Sequence, residues 1–159
     1  MTLSKINVVL FQPEIPPNTG NIARLCVCND LKLHLIHPLG FSLDKKQVKR
    51  AGLDYWEHLE LEEYANWSAF LQKHKSSPLF FFSSKAQKSL WEVTFPPECY
   101  LIFGSETKGF SREITEDFKD CLVTLPMEGK NARCLNLSTS AGIGVYEALR
   151  QHRNLGCLS

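Results

Sequence analysis

Continuous apolar runs alternate with amphipathic stretches along most of the chain. Five of these runs have the length and the β-branched or aromatic content that buried strands show. They are INVVLF (6–11), KLHLIH (32–37), PLFFFS (78–83), CYLIFG (99–104) and CLVTLP (121–126). Runs that are apolar at successive positions indicate strands covered on both faces, as in parallel sheets.

Stretches with helical periodicity lie between and after these runs. The predicted helices are NTGNIARLCVCNDL (18–31), a short basic helix DKKQVKRA (44–51), YANWSAFLQKHK (64–75), SREITEDF (111–118) and a last helix over about 135–151. We expect Asn18 or Thr19 to cap the first of them and Ser111 to cap the fourth. The alternation predicts an α/β fold with a mostly parallel sheet flanked by helices. Without a repeat or a linker, one domain over 1–159 is expected.

Composition and charge narrow the classes of function. The chain has 43% hydrophobic residues and 10 Phe, 4 Tyr and 3 Trp, which is enough for a core without disulfides. Its net charge of +1 means that nucleic-acid binding would depend on local basic clusters or on patches joined between two chains. The apolar stretch at the N-terminus is too short for a signal peptide or a membrane span, so we expect a soluble cytoplasmic protein.

The cysteines and histidines do not form the spacing of a zinc site. Six cysteines occur without a CxxC pair, and five histidines are scattered along the chain. Cys26 and Cys28 are most simply apolar-like helix residues, one of them buried. Free thiols favour a reducing compartment. We expect no metal and assign no catalytic role to a histidine.

Three polar, glycine-containing segments follow strands, where parallel sheets bind ligands. The first is PPNTGNIARLC (16–26), in which Gly20 lies in the first helical turn and Arg24 follows four residues later on the same face. A helix N-terminus with a nearby arginine suits an anion such as phosphate. A capped helix with a solvated arginine explains the same residues, so both interpretations stay open.

The second segment is LIFGSETKGFS (101–111), with Gly104, Glu106 and Gly109 after a strand. A glycine-rich turn in this place suits a nucleotide or adenosine, although GxGxxG and the Lys-Ser/Thr ending of a P-loop are missing. The carboxylate favours a ribose hydroxyl or a cation over a triphosphate. Alone, the segment fits an ordinary tight turn.

The third segment is LPMEGKNAR (125–133) together with the last helix. Gly142 and Gly144 lie inside that helix, where each costs roughly 1 kcal/mol relative to alanine. Close packing of the helix, within the fold or against a second subunit, is favoured over ligand contact as their cause. The loop and the polar first turn of the helix predict a pocket wall.

In combination, FQPEIPPNTGNIARLC, HPLGF, KRAGLDYWEH, FGSETKGF and LNLSTSAGIGVYEALRQ resemble the motifs of the SPOUT, or α/β-knot, methyltransferases. They are most similar to the small tRNA (cytidine/uridine-2′-O)-methyltransferases of the TrmL type, from about Asn7 to Gln151. The resemblance implies a C-terminal deep trefoil knot, bound S-adenosyl-L-methionine, no separate RNA-binding domain and a homodimer with active sites where the subunits meet. General topology argues against knots, so this expectation rests on the resemblance alone.

The resemblance also assigns site residues. It implies that the cofactor contacts, largely through backbone groups, Phe82, Gly104, Leu125 and Cys134, with Met127 near the adenosine or the methionine tail. The polar residues around the reacting centre would be Arg24, Asn18, Glu106, Arg133, Asn136 and Ser140. Cys134 stands where relatives have serine, so a hydroxyl contact would be lost and a backbone contact kept.

The implied reaction transfers a methyl group to the ribose 2′-oxygen of a pyrimidine at the wobble position of the tRNA anticodon loop. That hydroxyl must lose its proton. The family proposal gives this role to the first-motif arginine, here Arg24, but a guanidinium stays protonated in proteins. We therefore expect Arg24 to grip the adjacent phosphate and polarise the hydroxyl, while a phosphate oxygen or water takes the proton. Asn136 and Ser140 would orient the sugar.

A basic cluster is the candidate RNA-binding surface. Its members are Lys45, Lys46, Lys49 and Arg50, followed by the aromatic residues Tyr55 and Trp56. Cations with aromatics suit RNA backbone grip and base stacking, although a solvated helix face explains the cations equally simply.

Other functions remain open at this point. They are methylation of a ribosomal RNA ribose or of a base, and a non-catalytic RNA-binding dimer. NTGNIAR favours ribose over base chemistry, and the intact polar set argues against lost catalysis. The missing GxGxxG disfavours a dinucleotide-dependent oxidoreductase.

Overall fold

The chain forms a six-stranded sheet in a computed structural model that describes residues 3–44, 55–132 and 134–156. The strands are β1 (Lys5–Phe11), β2 (Lys32–Ile36), β3 (Glu60–Tyr64), β4 (Leu79–Phe82), β5 (Glu98–Phe103) and β6 (Leu122–Val123). Their order is β3-β2-β1-β5-β4-β6, and every neighbouring pair is parallel. The prediction of an α/β fold with a mostly parallel sheet is confirmed.

Four helices flank the sheet in the described part of the chain. They are α1 (Pro16–Cys28), α2 (Trp67–His74), α3 (Arg112–Asp117) and α4 (Leu137–Asn154), with short 3-10 turns at Trp56–His58, Leu90–Glu92 and Lys119–Cys121. α1 and α4 pack on one face of the sheet, and α2 and α3 pack on the other. The predicted basic helix over 44–51 lies, from residue 45 on, outside the described residues.

Each face of the sheet has its own hydrophobic core, because successive side chains of a strand point to opposite sides. Along β1, Val8 and Leu10 join the core under α1 and α4, while Val9 and Phe11 join the core under α2 and α3. This two-sided burial explains why β1 and β5 are apolar at nearly every position.

The strand β3 was not predicted, and the helix expected over 64–75 begins only at Trp67. Tyr64 belongs to β3 at the edge of the sheet, paired with Ile36 of β2. The sequence ELEEY has three carboxylates, which made it look unlike a buried strand. One of them, Glu62, forms ion pairs with Lys32 of β2 and with Lys73 of α2.

The first helix begins earlier than predicted. It starts at Pro16, and Ile15 is the residue before it, whereas Asn18 and Thr19 are buried inside the first turn. Proline suits the first helical positions because its missing N–H would have no partner there. The predicted cap of α3 is confirmed, since Ser111 Oγ accepts from the backbone N–H of Ile114 at 3.3 Å.

The described cysteines are free thiols. Cys26 is buried and Cys28 is exposed, as predicted for this pair. Burial raises the pKa of the Cys26 thiol to about 12, so this side chain is neutral and behaves as an apolar group. Among the helices of the described segments, none combines the length and the apolar character that a membrane span needs.

Candidate active site

A cavity of about 490 Å³ opens at the carboxyl ends of β4, β5 and β6. The loops after these strands and the start of α4 form its walls. Nine predicted site residues line it: Asn18, Phe82, Gly104, Glu106, Leu125, Met127, Cys134, Asn136 and Ser140. The volume is in the range of small-molecule sites, and the place is where parallel sheets bind ligands.

Two stacked phenylalanines form part of the apolar wall of the cavity. The rings of Phe82 and Phe103 lie 4.6 Å apart between centroids and are nearly parallel. A Cβ at Gly144 would come within 2.9 Å of Phe82 Cζ, so α4 approaches these rings as closely as it does only because this position has no side chain. Close packing, the favoured explanation, is confirmed for Gly144, and it occurs within the fold.

The second helix glycine has a different environment. A Cβ at Gly142 would meet no atom within 4 Å in the described part of the chain. Close packing within the described fold therefore does not explain why this position has no side chain. The neighbouring Ile143 and Tyr146 are 40% and 58% exposed, so this side of α4 presents apolar surface.

The turn after β5 is both a tight turn and a wall of the cavity. Ser105 and Gly109 exchange two backbone hydrogen bonds, with N···O distances of 3.2 and 2.9 Å. Gly109 has a φ of +62°, and a Cβ at Gly104 would lie 2.7 Å from the Gly109 carbonyl carbon. The turn therefore needs both glycines before any ligand is considered.

Glu106 faces the start of α1. Its Oε2 accepts from the backbone N–H of Glu14 at 2.7 Å, and its Oε1 accepts from the backbone N–H of Ile15 at 3.1 Å and from Asn18 Nδ2 at 3.4 Å. The carboxylate thus complements the positive end of the α1 dipole. The sequence suggested an external anion at this helix terminus, but the chain supplies its own.

Asn136 connects α4 to α1. Its Oδ1 accepts from the backbone N–H groups of Ser138 at 2.8 Å and Thr139 at 3.4 Å, which caps α4. Its Nδ2 donates to Asn18 Oδ1 at 3.0 Å. A continuous chain of hydrogen bonds therefore runs from the start of α4 through Asn18 to Glu106.

Glu14 was missed by the sequence reasoning. Its carboxylate accepts from the backbone N–H of Thr107 at 3.2 Å and from Thr107 Oγ1 at 2.7 Å. These hydrogen bonds, first that of the hydroxyl, hold the pKa of Glu14 below its usual value. An acidic residue in the proline-rich QPEIPP was the available signal, but its partner lies 93 positions away.

Arg24 does not line the cavity. It lies exposed on α1, and its guanidinium carbon is 4.9 Å from the centroid of the Tyr55 ring, a cation–π contact. Trp56, the other aromatic residue considered for RNA stacking, is partly buried against the core under α1 and α4. Arg133, Lys45, Lys46, Lys49 and Arg50 lie outside the described residues.

A buried polar network lies on the face of the sheet that α2 and α3 cover. Tyr64 Oη bridges His34 Nδ1 and His74 Nε2 at 2.9 Å each, and His34 Nε2 lies 2.9 Å from Asn7 Oδ1. This pattern fits two neutral imidazoles. Burial, with Lys32 adding to it, lowers the pKa of His34 to about 3, and burial also lowers that of His74.

This network contains the one group of side chains, among those described, whose atoms are close enough to hold a metal: His34, Glu62 and His74. Both nitrogens of His34 already have hydrogen-bond partners, and Glu62 pairs with two lysines. His34 and Glu62 are therefore already engaged within the chain, and the group shares no residue with the cavity lining.

The parallel sheet and the cavity at its carboxyl edge define an α/β protein with a cavity of the kind that holds a small ligand between strand-to-helix loops. The sequence profile of the SpoU rRNA Methylase family matches residues 5–146. The chain belongs to this family.

Similar proteins cover nearly the whole chain. The tRNA (cytidine(34)-2′-O)-methyltransferase of Saccharophagus degradans is 48% identical over 146 residues, which are 91% of this chain and 94% of that protein. The protein of the same name from Methylovorus glucosotrophus is 44% identical, over 96% of this chain and 99% of its own. A solved structure concerned with 2-OH methylation of C/U34 on tRNA has a TM-score of 0.89 at 41% identity and covers 95% of this chain and 98% of that one.

Proposed function

We propose that the protein methylates the ribose 2′-oxygen of nucleotide 34, a cytidine or a modified uridine, at the wobble position of tRNA. The observation that carries this proposal is that nine of the residues implied by the family resemblance line one cavity. The names of the relatives, which are similar over more than nine tenths of the chain, support the same reaction and substrate.

S-adenosyl-L-methionine is the methyl donor, and the cavity fits it. The stacked Phe82 and Phe103 rings offer apolar surface to a base, while the turn after β5 offers backbone groups. Gly104, Leu125 and Cys134 would hold the donor through their backbone, and Met127 would pack against it. When bound, the donor supplies an electrophilic methyl group on a positively charged sulfur.

The polar residues of the chain would orient the ribose and control its proton. Ser140 and the capped start of α4 at Asn136 line the cavity and would hold the sugar. Glu106 would act by fixing Asn18 and the start of α1, because its oxygens are engaged there. Arg24 would bind the neighbouring phosphate and polarise the 2′-hydroxyl, and a phosphate oxygen or water would take the proton.

The separation of Arg24 from the cavity supports a homodimer with shared active sites. In such a dimer the Arg24 of one subunit would serve the cavity of its partner. The side of α4 with Gly142, Ile143 and Tyr146 is open and partly apolar, which suits a second copy of the chain.

A mixing experiment tests this arrangement. Arg24→Ala and Gly104→Ala chains, each expected to be inactive, are unfolded together, refolded and assayed. Shared sites should restore about a quarter of wild-type activity, because half of the dimers are mixed and each has one intact site. Activity that stays at the level of the separate variants, in a sample that sediments as a dimer, would contradict the shared site.

The proposal also includes the trefoil knot and a single methyltransferase domain over this chain. Membership in the family and the TM-score of 0.89 to the C/U34-related structure support both. RNA would then be recognised by the domain itself, including Lys45, Lys46, Lys49 and Arg50. A tRNA substrate and the free thiols favour a cytoplasmic location.

The direct test is methyl transfer from labelled S-adenosyl-L-methionine to total tRNA from cells that lack this modification, with ribosomal RNA in parallel. The tRNA is then digested and the labelled nucleoside identified. We expect 2′-O-methylcytidine or 2′-O-methylated uridine from tRNA only. Label in ribosomal RNA or on a base would overturn the substrate assignment, and donor binding without any transfer would favour a non-catalytic RNA-binding protein.

A further inference from the structure

We propose that Glu14 is a positioning residue, and that its contact with Thr107 holds the wall of the cavity in the shape that binds the methyl donor. The contact joins the loop between β1 and α1 to the turn after β5. The inference rests on the proposed function, because it takes the cavity to be the donor site.

The two loops exchange carboxylates. Glu14, in the first loop, accepts two hydrogen bonds from Thr107, and Glu106, in the second loop, accepts from the backbone N–H groups of Glu14 and Ile15. We call these four contacts the carboxylate clasp. Each loop therefore supplies a carboxylate that accepts hydrogen bonds from the other loop. Hydrogen bonds to ionised groups are stronger than those between neutral groups.

A third loop fixes Glu14 from behind. A Cβ at Gly40 would come within 2.7 Å of Glu14 Cα, and the backbone N–H of Gly40 donates to the carbonyl of Pro13 at 2.9 Å. The backbone of Glu14 thus lies between Gly40 and the carboxylate of Glu106. Its carboxylate reaches Thr107 from a fixed base, which is the condition for a side chain to position another loop.

Thr107 is the point of the turn that most needs such support. The turn is closed by hydrogen bonds between Ser105 and Gly109, while Thr107 is exposed at its tip and also lines the cavity. Without the clasp the tip would be free to move, and the donor would have to order it on binding. The free-energy cost of this ordering lowers the affinity for the donor but does not change the positions of the reacting groups once the donor is bound.

A purely structural role for Glu14 makes a different prediction. If its role were purely structural, replacing Glu14 would lower the melting temperature and leave the donor affinity of the folded protein unchanged. If Glu14 is a positioning residue, replacing it raises the dissociation constant and the KM for the donor, while kcat at saturating donor stays close to wild type. The separation of KM from kcat therefore distinguishes the two roles.

The test uses Glu14→Gln, Thr107→Val, the double variant and Thr107→Ser, with Thr94→Val at an exposed position as the matched control. Donor affinity is measured by calorimetry without RNA, and KM and kcat by methyl transfer. We expect each single variant to bind the donor about tenfold more weakly, and the double variant to be no worse than the weaker single one. Thr107→Ser keeps the hydroxyl and should bind like wild type, as should Thr94→Val.

Two results would overturn the inference: wild-type affinity in Thr107→Val, or losses in the two single variants that add fully in the double variant. Thr107→Val replaces a hydroxyl by a methyl group on an exposed side chain, so wild-type affinity in this variant overturns the inference even where Glu14→Gln fails to fold. Failure of the proposed function looks different, because the wild-type protein itself would then bind no donor.

Discussion

The last helix packs closely against the wall of the cavity because Gly144 has no side chain. In Gly144→Ala the new Cβ would lie 2.9 Å from Phe82 Cζ and 3.4 Å from Phe103 Cζ, so the stacked rings must move. We expect a net loss of up to about 2 kcal/mol in the free energy of unfolding, because overpacking costs about 1–3 kcal/mol and the higher helix propensity of alanine returns about 1 kcal/mol. Denaturant unfolding measures it. Adding Phe82→Leu should recover part of the loss, and no recovery would contradict the assigned clash.

Arg24 is expected to act through the shape of its guanidinium as well as its charge. In Arg24→Lys the bidentate grip on phosphate is lost, and methyl transfer should fall by about 100-fold while donor binding changes little. Calorimetry and single-turnover transfer separate the two quantities. Arg112→Lys, on α3 in an exposed ion pair with Glu116, is the matched control. Transfer that survives Arg24→Lys unchanged would remove Arg24 from the site.

Asn136 both caps α4 and connects α4 to α1, and two variants separate these two contributions. Asn136→Asp keeps the oxygen that caps the helix but removes the donor to Asn18, whereas Asn136→Ala removes both. We expect Asn136→Ala to cost about 1–2 kcal/mol of stability and Asn136→Asp much less. Both should impair methyl transfer. Equal stability losses in the two variants would show that the cap contributes little.

The sequence predicted the central elements because burial on two faces leaves a strong apolar pattern. The runs 6–11 and 99–104 became β1 and β5 with boundaries shifted by one residue. β3 was missed because an edge strand needs only one protected side, and its Glu62 meets Lys32 of β2 and Lys73 of α2, which belong to other elements. Pairings of this kind leave no local signal.

Parts of the site were predictable for a related reason. Motifs at strand ends predicted which residues would lie near one another, and nine of them line one cavity. The direction in which a side chain points was not predictable. Glu106 faces the start of α1, and Arg24 lies over Tyr55, because packing between distant segments decides both orientations.

Because His34 and His74 are buried as neutral groups, we expect the folded protein to lose stability in acid. Burial lowers the folded-state pKa of both, to about 3 for His34, below the usual 6.5, so the unfolded chain binds more protons once the pH falls below 6.5. Stability should therefore decrease as the pH falls from 6.5 towards 3, by up to about 1.4 kcal/mol per pH unit for one histidine. Nearby Lys32 and Lys73 act in the same direction and Glu62 opposes them.

Denaturant unfolding between pH 7 and pH 5 measures this effect, since carboxylates with lowered pKa values lose their contribution only at lower pH. Replacing His34 by Asn should lower stability at pH 7 and flatten the pH dependence. His58→Asn, at an exposed position, is the control and should leave the slope unchanged. A steep dependence that persists without His34 would assign the effect to His74 or to another group.

The proposed reaction, methyl transfer to the ribose 2′-oxygen of nucleotide 34, is tested most directly with a substituted RNA. Two tRNA molecules are assembled that differ only at nucleotide 34, where one has a ribose and the other a 2′-deoxyribose. With labelled S-adenosyl-L-methionine, we expect label in the first tRNA and none in the second. Equal labelling of both would contradict the claim, because the methyl group would then be attached elsewhere.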